Sequence, residues 1–145
     1  MVVVMYHVDG LLYRAWFLGG ITLLLGVFVL IYSKFWNRKL AKKKEILFAS
    51  FTIIFAISYG LFFLYKANCP KIAFHEGYLS REYREFGMTD AYVFTNGSEK
   101  KLTFYMDSST KKKVYSGDFS SEMKYRIYYE EDTKIILRIE EVEGD

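Results

Sequence analysis

Two long apolar runs occupy the first half of the chain, and basic residues flank each of them. The runs cover residues 13–33 and 46–66, and no charged or histidine residue interrupts 15–32 or 46–65. A helix rises about 1.5 Å per residue, so roughly 20 residues cross the roughly 30 Å of hydrocarbon in a bilayer. Residues 1–66 are therefore predicted to form a two-helix transmembrane hairpin in contact with membrane lipid.

After residue 70 the period of the apolar positions changes from helical to alternating. Apolar residues two apart are typical of strands, and polar turn sequences such as 96–99 and 107–110 separate them. The pattern predicts strands near 71–79, 90–95, 101–107, 111–116, 124–130 and 134–142, with a helical turn or a charged loop at 80–86. The fold class is then an α+β membrane protein in which residues 67–145 form a small antiparallel all-β domain of about six strands, a barrel or a sandwich.

Alternation in the last strands also predicts which side chains face away from the core. If Tyr125 and Ile127 point inward, Arg126 and Tyr128 point outward. Tyrosine mixed with arginine is the composition that protein interfaces favour. Cross-strand pairing on a solvated face is the alternative explanation. The candidate partner-binding residues are Tyr105, Arg126, Tyr128 and Arg138. The same alternation predicts that Ile136 points outward, whereas Ile135, Leu137 and Ile139 point inward.

Small residues recur along one face of each apolar run. Such residues let two helix backbones approach closely in lipid. In an antiparallel hairpin, equal depth places Gly19 opposite Gly60 and Gly26 opposite Thr52. The general abundance of Gly and Ala in membrane spans is the alternative explanation. The predicted helix-packing residues are Ala15, Gly19 and Gly26 in the first span and Ala49, Thr52, Ala56 and Gly60 in the second.

Charge is segregated along the chain, although the formal net charge is only +3. Residues 34–45 hold six Lys or Arg and one Glu, whereas residues 66–145 hold 13 Lys or Arg and 15 Asp or Glu. Short loops rich in Lys and Arg stay in the cytoplasm. The prediction is an integral protein of a bacterial cytoplasmic membrane, with loop 34–45 cytoplasmic and both termini and the β domain extracytoplasmic. The basic balance reflects this loop, so no nucleic-acid partner is expected.

The ends of the apolar runs carry aromatic rings of the kind that settle at membrane interfaces. Residues 1–14 are expected to form a short translocated tail rather than a cleaved signal. Two further alternatives for residues 2–6 of this tail are insertion into the membrane interface and pairing as a strand with the β domain. The interfacial rings are Tyr13, Trp16, Tyr32, Phe35, Trp36 and Tyr65.

The sequence pattern does not bring together the residues that catalysis or metal binding requires. His75 and Glu76 are neighbours on a predicted strand, so their side chains should point to opposite faces. The single cysteine, Cys69, allows no internal disulfide. It is either an inert residue or half of an intermolecular disulfide in a homo-oligomer. The sequence predicts no enzyme activity, no cofactor and no metal site.

The segment from Tyr115 through residues 125–129 to Ile136 resembles the closing strands of small OB-like barrels in NfeD-type bacterial membrane proteins. Two spans followed by a β domain also resemble the two-transmembrane, β-strand-rich effectors of nucleotide-signalling anti-phage systems. The first resemblance implies an OB-like barrel, and the second implies a barrel that senses a ligand in the cytoplasm. Neither resemblance assigns a role to a particular residue.

The sequence is thus consistent with two functions. The first is a small accessory or regulatory membrane protein whose extracytoplasmic β domain binds a protein partner, as an immunity protein or a subunit of an export or envelope complex would. The alternative is a nucleotide-sensing, membrane-disrupting effector, which requires a cytoplasmic barrel with a ligand pocket. The charge of loop 34–45 favours the first, because it places the β domain outside.

Overall fold

The structure is a computed structural model that describes residues 6–35, 41–85 and 89–143, apart from the side chains of 41, 42 and 98–100. The chain divides into two compact units. One unit is Leu11–Asn68, and the other combines the residues up to Gly10 with Cys69–Asp145. The predictions that concern residues 2–5, Trp36 and the basic residues Arg38 and Lys39 lie outside the described residues.

The first unit contains the two long apolar helices that the hydrophobic runs predict. α1 (Asp9–Tyr13), a π-helical turn (Arg14–Leu18) and α2 (Gly19–Phe35) follow one another as a single long helix, and α3 (Ala41–Asn68) is the second. Only 17% of the apolar window of each helix is buried. A helix that is apolar on all sides is typical of a buried core helix or of a membrane span.

Glycines bring the two helix backbones together at the π-helical turn. A Cβ atom added to Gly19 would lie 3.4 Å from Cα of Gly60 and 3.6 Å from the carbonyl oxygen of Ala56. A Cβ atom added to Gly60 would lie 3.5 Å from the carbonyl oxygen of Ala15. Ala15, Gly19 and Ala56 are buried. Backbone atoms thus form much of the contact here, which only residues without long side chains permit.

Gly26 continues the seam between the helices. A Cβ atom at this position would lie 3.4 Å from the carbonyl oxygen of Ala49 and 2.7 Å from Cγ1 of Ile53. The atoms nearest to this position thus belong to Ile53 and Ala49. The hydroxyl of Thr52 donates to the carbonyl oxygen of Phe48 on its own helix, at 2.9 Å.

In the described part of the second unit, five antiparallel strands form one sheet, where six strands were predicted. They are β1 (Ile72–Arg84), β2 (Thr89–Asn96), β3 (Ser98–Asp107), β4 (Lys124–Glu130) and β5 (Ile136–Val142). Their order across the sheet is β3-β2-β1-β4-β5, so β4 returns beside β1 as in a Greek key. The outer strands meet where Tyr105 forms a parallel bridge with Ile135.

The strand predicted at 111–116 is wrong, because Lys111–Val114 form a single helical turn, α4. The hydroxyl of Thr110 donates to the carbonyl oxygen of Asp107 at 3.0 Å, and the carbonyl oxygen of Thr110 accepts from the N–H of Val114 at 3.1 Å. Val114 is buried in the core and Lys112 is exposed. A strand that pointed Val114 inward would also point Lys112 inward. The helical turn buries Val114 and leaves Lys112 exposed, so no lysine has to be buried.

The helical turn or loop predicted at 80–86 is also wrong over its described part, because β1 continues as a strand to Arg84. Arg81 pairs with Val93 and Arg84 with Asp90, both on β2. The register with β2 shifts between Leu79 and Arg81, which indicates a bulge that bends the strand. Charged residues have low strand propensity, but pairing with a neighbouring strand overrides propensity.

The outward position predicted for Ile136 is wrong, since this side chain is only 2% exposed and belongs to the core. The cause is a register shift: Tyr128 pairs with Arg138, but Tyr129 pairs with Ile136. Leu137 is therefore an extra residue in β5. A one-residue shift reverses the faces that follow it. Ile136 and Arg138, although two residues apart, therefore point to opposite faces, with Ile136 in the core and Arg138 outward beside Tyr128.

Aromatic and branched side chains fill the interior of the sheet. Tyr125, Ile127 and Tyr129 are all buried, as the alternation of β4 predicts. Ring centroids of Phe104 and Tyr129 lie 4.6 Å apart. The interior is thus packed with side chains rather than hollow. The core cluster consists of Tyr92, Phe94, Phe104, Met106, Val114, Tyr125, Ile127, Tyr129, Ile136 and Ile139.

The N-terminal residues 6–10 belong to this β unit. The N–H of His7 donates to the carbonyl oxygen of Leu137 at 2.9 Å, beside the bulge of β5. A Cβ atom added to Gly10 would lie 3.2 Å from Cγ2 of Ile135. A side chain at position 10 would therefore require the Ile135 side chain to shift by a few tenths of an ångström.

Candidate interaction face

Three of the four predicted partner-binding residues lie side by side on the outer side of the sheet. Tyr128 is paired with Arg138 across β4 and β5, and Arg126 is two residues along β4. On the other side of β4, β1 sets Phe74 opposite Tyr128 and Glu76 opposite Arg126. Opposed residues on antiparallel strands are close neighbours. These five residues form a continuous surface that we call the outer face.

Glu76 is the electrostatic centre of the outer face. Nε of Arg126 donates to its Oε1 at 2.6 Å, and Nζ of Lys124 lies 3.4 Å from its Oε2. The hydrogen bond from Arg126 lowers the pKa of the Glu76 carboxyl group, and the same bond raises the pKa of the Arg126 guanidinium. These groups are partly exposed to water, so the pair contributes little to stability. Its main consequence is a fixed orientation of Arg126.

The ring of Tyr128 is enclosed by three neighbouring side chains. Its centroid lies 6.2 Å from that of Phe74, and the ring of Tyr6 meets it edge-on at 5.8 Å. Cζ of Arg138 lies 5.8 Å from the centroid of the Tyr128 ring. The hydroxyl of Tyr128 donates to Oε2 of Glu140 at 3.3 Å, and Glu140 also pairs with Arg138. Tyr128 is therefore held in place on the surface.

Phe74 is the most exposed ring of the outer face, with 63% of its surface accessible. Cζ of Arg126 lies 6.0 Å from its centroid. The sequence pattern did not single out Phe74, because apolar residues at alternate positions usually face a core. The available sequence signal was the charged residue Glu76, which lies two residues along the strand and therefore on the same face as Phe74.

Tyr105, the fourth predicted partner-binding residue, lies elsewhere on the β unit. It stands on β3, opposite Ala91 of β2, and Tyr83 of β1 is paired with Ala91 from the other side. The structure therefore does not bring Tyr105 into the outer face. A groove of about 320 Å³ opens on this second surface. It is lined by Ser80, Arg81, Tyr83, Val93 and Lys101.

His75 points toward the core instead of the outer face, and its ring centroid lies 5.8 Å from that of Phe104. Within the described residues its Nε2 is buried without a hydrogen-bond partner, and burial lowers the pKa of the imidazole. Glu76 faces the other side of β1, so the two groups are not arranged for joint acid–base chemistry. Over 6–35, 41–85 and 89–143, no group of three His, Cys, Asp or Glu residues could hold a metal ion.

No protein-family model, curated protein or solved structure matches this chain. Its function is therefore inferred from its own residues and contacts.

Proposed function

We propose that this chain is an integral membrane protein whose β unit binds a protein partner through the outer face. The observation that carries the proposal is the exposed ring of Phe74 beside Arg126 and Tyr128, whose side chains are held by neighbours. Interface anchors are often aromatic or arginine side chains, and pre-ordered side chains lose little entropy on binding. A regulatory or accessory role, as in an immunity protein or a subunit of an envelope complex, would use such a surface.

Membrane insertion is supported by the exposure of the apolar helix surfaces. Leu24 is 69% exposed, Leu47 73% and Phe51 70%. Core helices of water-soluble proteins bury such residues, whereas lipid would cover them in a bilayer. The 28 residues of α3 extend about 42 Å, which exceeds the roughly 30 Å of hydrocarbon.

The orientation of the protein is supported by charge and by chain connectivity. Both ends of Leu11–Asn68 continue into the β unit, so two crossings return the chain to the side from which it started. The basic loop 34–45 connects the two helices. Short loops rich in Lys and Arg stay on the cytoplasmic side of the membrane. We therefore place the β unit outside the cytoplasmic membrane.

Protease treatment of spheroplasts tests the orientation and separates the two candidate functions. External protease should remove a tag placed after Asp145 even when the membrane has not been permeabilised. Protection of that tag would contradict the proposal and favour a cytoplasmic sensor. Replacing Lys39, Lys42, Lys43 and Lys44 by Gln should give mixed or inverted insertion, because the loop charge sets the orientation.

A photocrosslinking residue in place of Phe74 tests the outer face directly in cells. It should form one adduct of defined mass, and the partner in that adduct should then copurify with the unmodified protein. The same residue in place of Lys112, which is exposed on α4, serves as the position control. Equal labelling from both positions would mean that the outer face has no specific partner.

The variant Arg126→Ala with Tyr128→Ala should abolish the adduct and the copurification while leaving the amount of protein unchanged. The control is Tyr83→Ala with Arg84→Ala, an exposed Tyr and Arg pair on the same sheet. The control should retain the partner. Loss of the partner in both double variants, or in neither, would exclude the outer face as the binding surface.

A further inference from the structure

The second surface of the sheet contains a groove over Val93 of β2. The longer side chains of Arg81 and Tyr83 on β1 and of Lys101 on β3 also line it. Arg81 pairs with Val93, and Lys101 pairs with Thr95. Val93 forms the floor of the groove, and the longer side chains on the two neighbouring strands form its walls. Its volume of about 320 Å³ lies at the lower end of the range for small-molecule sites.

The two basic residues of the groove differ from the other described cations of the sheet. Arg84 pairs with Asp90, Lys124 and Arg126 pair with Glu76, and Arg138 pairs with Glu140. Arg81 and Lys101 have no carboxylate within ion-pair distance among the described side chains. The positive charge of the groove is therefore not neutralised by these neighbours.

Local structure directs Arg81 into this groove. The register shift between Leu79 and Arg81 makes Ser80 an extra residue, so Arg81 lies on the opposite face from Leu79, which packs against the core. Cζ of Arg81 lies 5.3 Å from the ring centroid of Tyr83, which restricts the guanidinium to one side of the groove. The neighbouring carboxylate Glu82 pairs with Lys111 on the other face. It does not compete for Arg81.

We propose that this groove binds a phosphate-bearing ligand through Arg81 and Lys101. A guanidinium group donates two parallel hydrogen bonds to a phosphate, and an ammonium group supplies a point charge beside it. The hydroxyl of Ser80 adds a neutral donor in the same groove. The small volume fits one phosphate group with an attached sugar or glycerol. A soluble nucleotide and a phospholipid headgroup share this chemistry.

Calorimetric titration of the full chain in a neutral maltoside detergent tests the proposal. The three probes are inorganic phosphate, adenosine monophosphate and glycerol 3-phosphate. Saturable binding of adenosine monophosphate at least tenfold tighter than glycerol 3-phosphate identifies a soluble nucleotide source. Equal or tighter binding of glycerol 3-phosphate identifies a headgroup source. Absence of saturable binding for all three probes overturns the proposal.

Two double variants of equal charge localise the binding. Arg81→Gln with Lys101→Gln should weaken the bound probe at least tenfold, because both cations contact the phosphate. Arg84→Gln with Lys112→Gln removes the same charge outside the groove and should change the affinity less than twofold. Equal weakening in both variants would mean that only net charge attracts the probe, which also overturns the proposal. The outer face is intact in both variants, so a negative result leaves the protein-partner proposal unaffected.

Discussion

The helical unit and the β unit solve the packing problem in opposite ways. In the helical unit, Gly19 and Gly60 remove side chains from the seam so that backbone atoms can meet. In the β unit, residues such as Tyr92 and Phe104 fill the interior with large rings. Added atoms should therefore disrupt the first unit, and removed atoms should disrupt the second.

Truncation in the sheet core should have the largest effect. Ile127 is fully buried at the centre of β4, so Ile127→Ala removes packed volume and should lower the free energy of unfolding by about 2–5 kcal/mol. Chemical denaturation of the protein in detergent, followed by tyrosine fluorescence, measures the change. Ile72→Ala is the control, since Ile72 is 40% exposed, and it should cost less than about 1 kcal/mol. Equal losses would mean that the assigned strand faces are wrong.

One glycine of the β unit should be as sensitive to an added side chain as the glycines between the two helices. A Cβ atom on Gly77 would lie 2.6 Å from the carbonyl oxygen of Thr95, closer than real contacts allow. Gly77→Ala should therefore force β1 away from β2 and cost about 2–3 kcal/mol. The same denaturation experiment measures it. A neutral result would mean that β1 can bend away from Thr95 without loss of pairing.

Adjacent glycines in the first helix provide a matched pair for the seam. A Cβ atom on Gly19 meets Gly60, whereas one on Gly20 has nothing within 4 Å. Gly19→Leu should loosen the helix pair by about 1 kcal/mol or more, and Gly20→Leu should have little effect. The readout is disulfide formation after Gly26→Cys and Ile53→Cys in a Cys69→Ser background. Equal crosslinking in both leucine variants would show that Gly19 does not lie in the contact between the two helices.

The fold was predictable where one residue pattern allowed one arrangement. Uninterrupted apolar runs predict the two long helices, and the alternation of β4 predicts that Ile127 is buried. Prediction failed where pairing with a distant strand decided the outcome. The strand at 80–84 exists because β2 pairs with it, although its residues are mostly charged. Ile136 is buried because a bulge at Leu137 reverses the alternation, and a bulge depends on both paired strands.

The candidate sites show the same limit. Arg126, Tyr128 and Arg138 could be grouped from phase alone, because β4 and β5 follow one another in the chain. Phase alone also grouped Tyr105 with them, but the sheet order places it beside the groove. The groove was not visible in the sequence, since it depends on three strands and on the extra residue Ser80.

The smallest predicted effect concerns pH and comes from the one imidazole that the β core partly buries. Burial lowers the pKa of His75 below its ordinary value, although the charge of Glu76 opposes this shift. Below pH 6.5 the unfolded chain therefore binds a proton more readily than the folded chain does. Stability contributed by neutral His75 is present above pH 6.5 and is lost as the pH falls through the lower folded pKa. Denaturation midpoints should thus decrease between pH 7.5 and pH 5.

His75→Leu removes the titrating group and should flatten this pH dependence, whatever its effect on absolute stability. The slope of the denaturation midpoint against pH is the quantity to compare, because it isolates proton binding from packing losses. An unchanged slope in His75→Leu would show that other groups cause the acid sensitivity. Steeper acid sensitivity in His75→Leu than in the unmodified chain would show that the direction of the His75 shift is reversed.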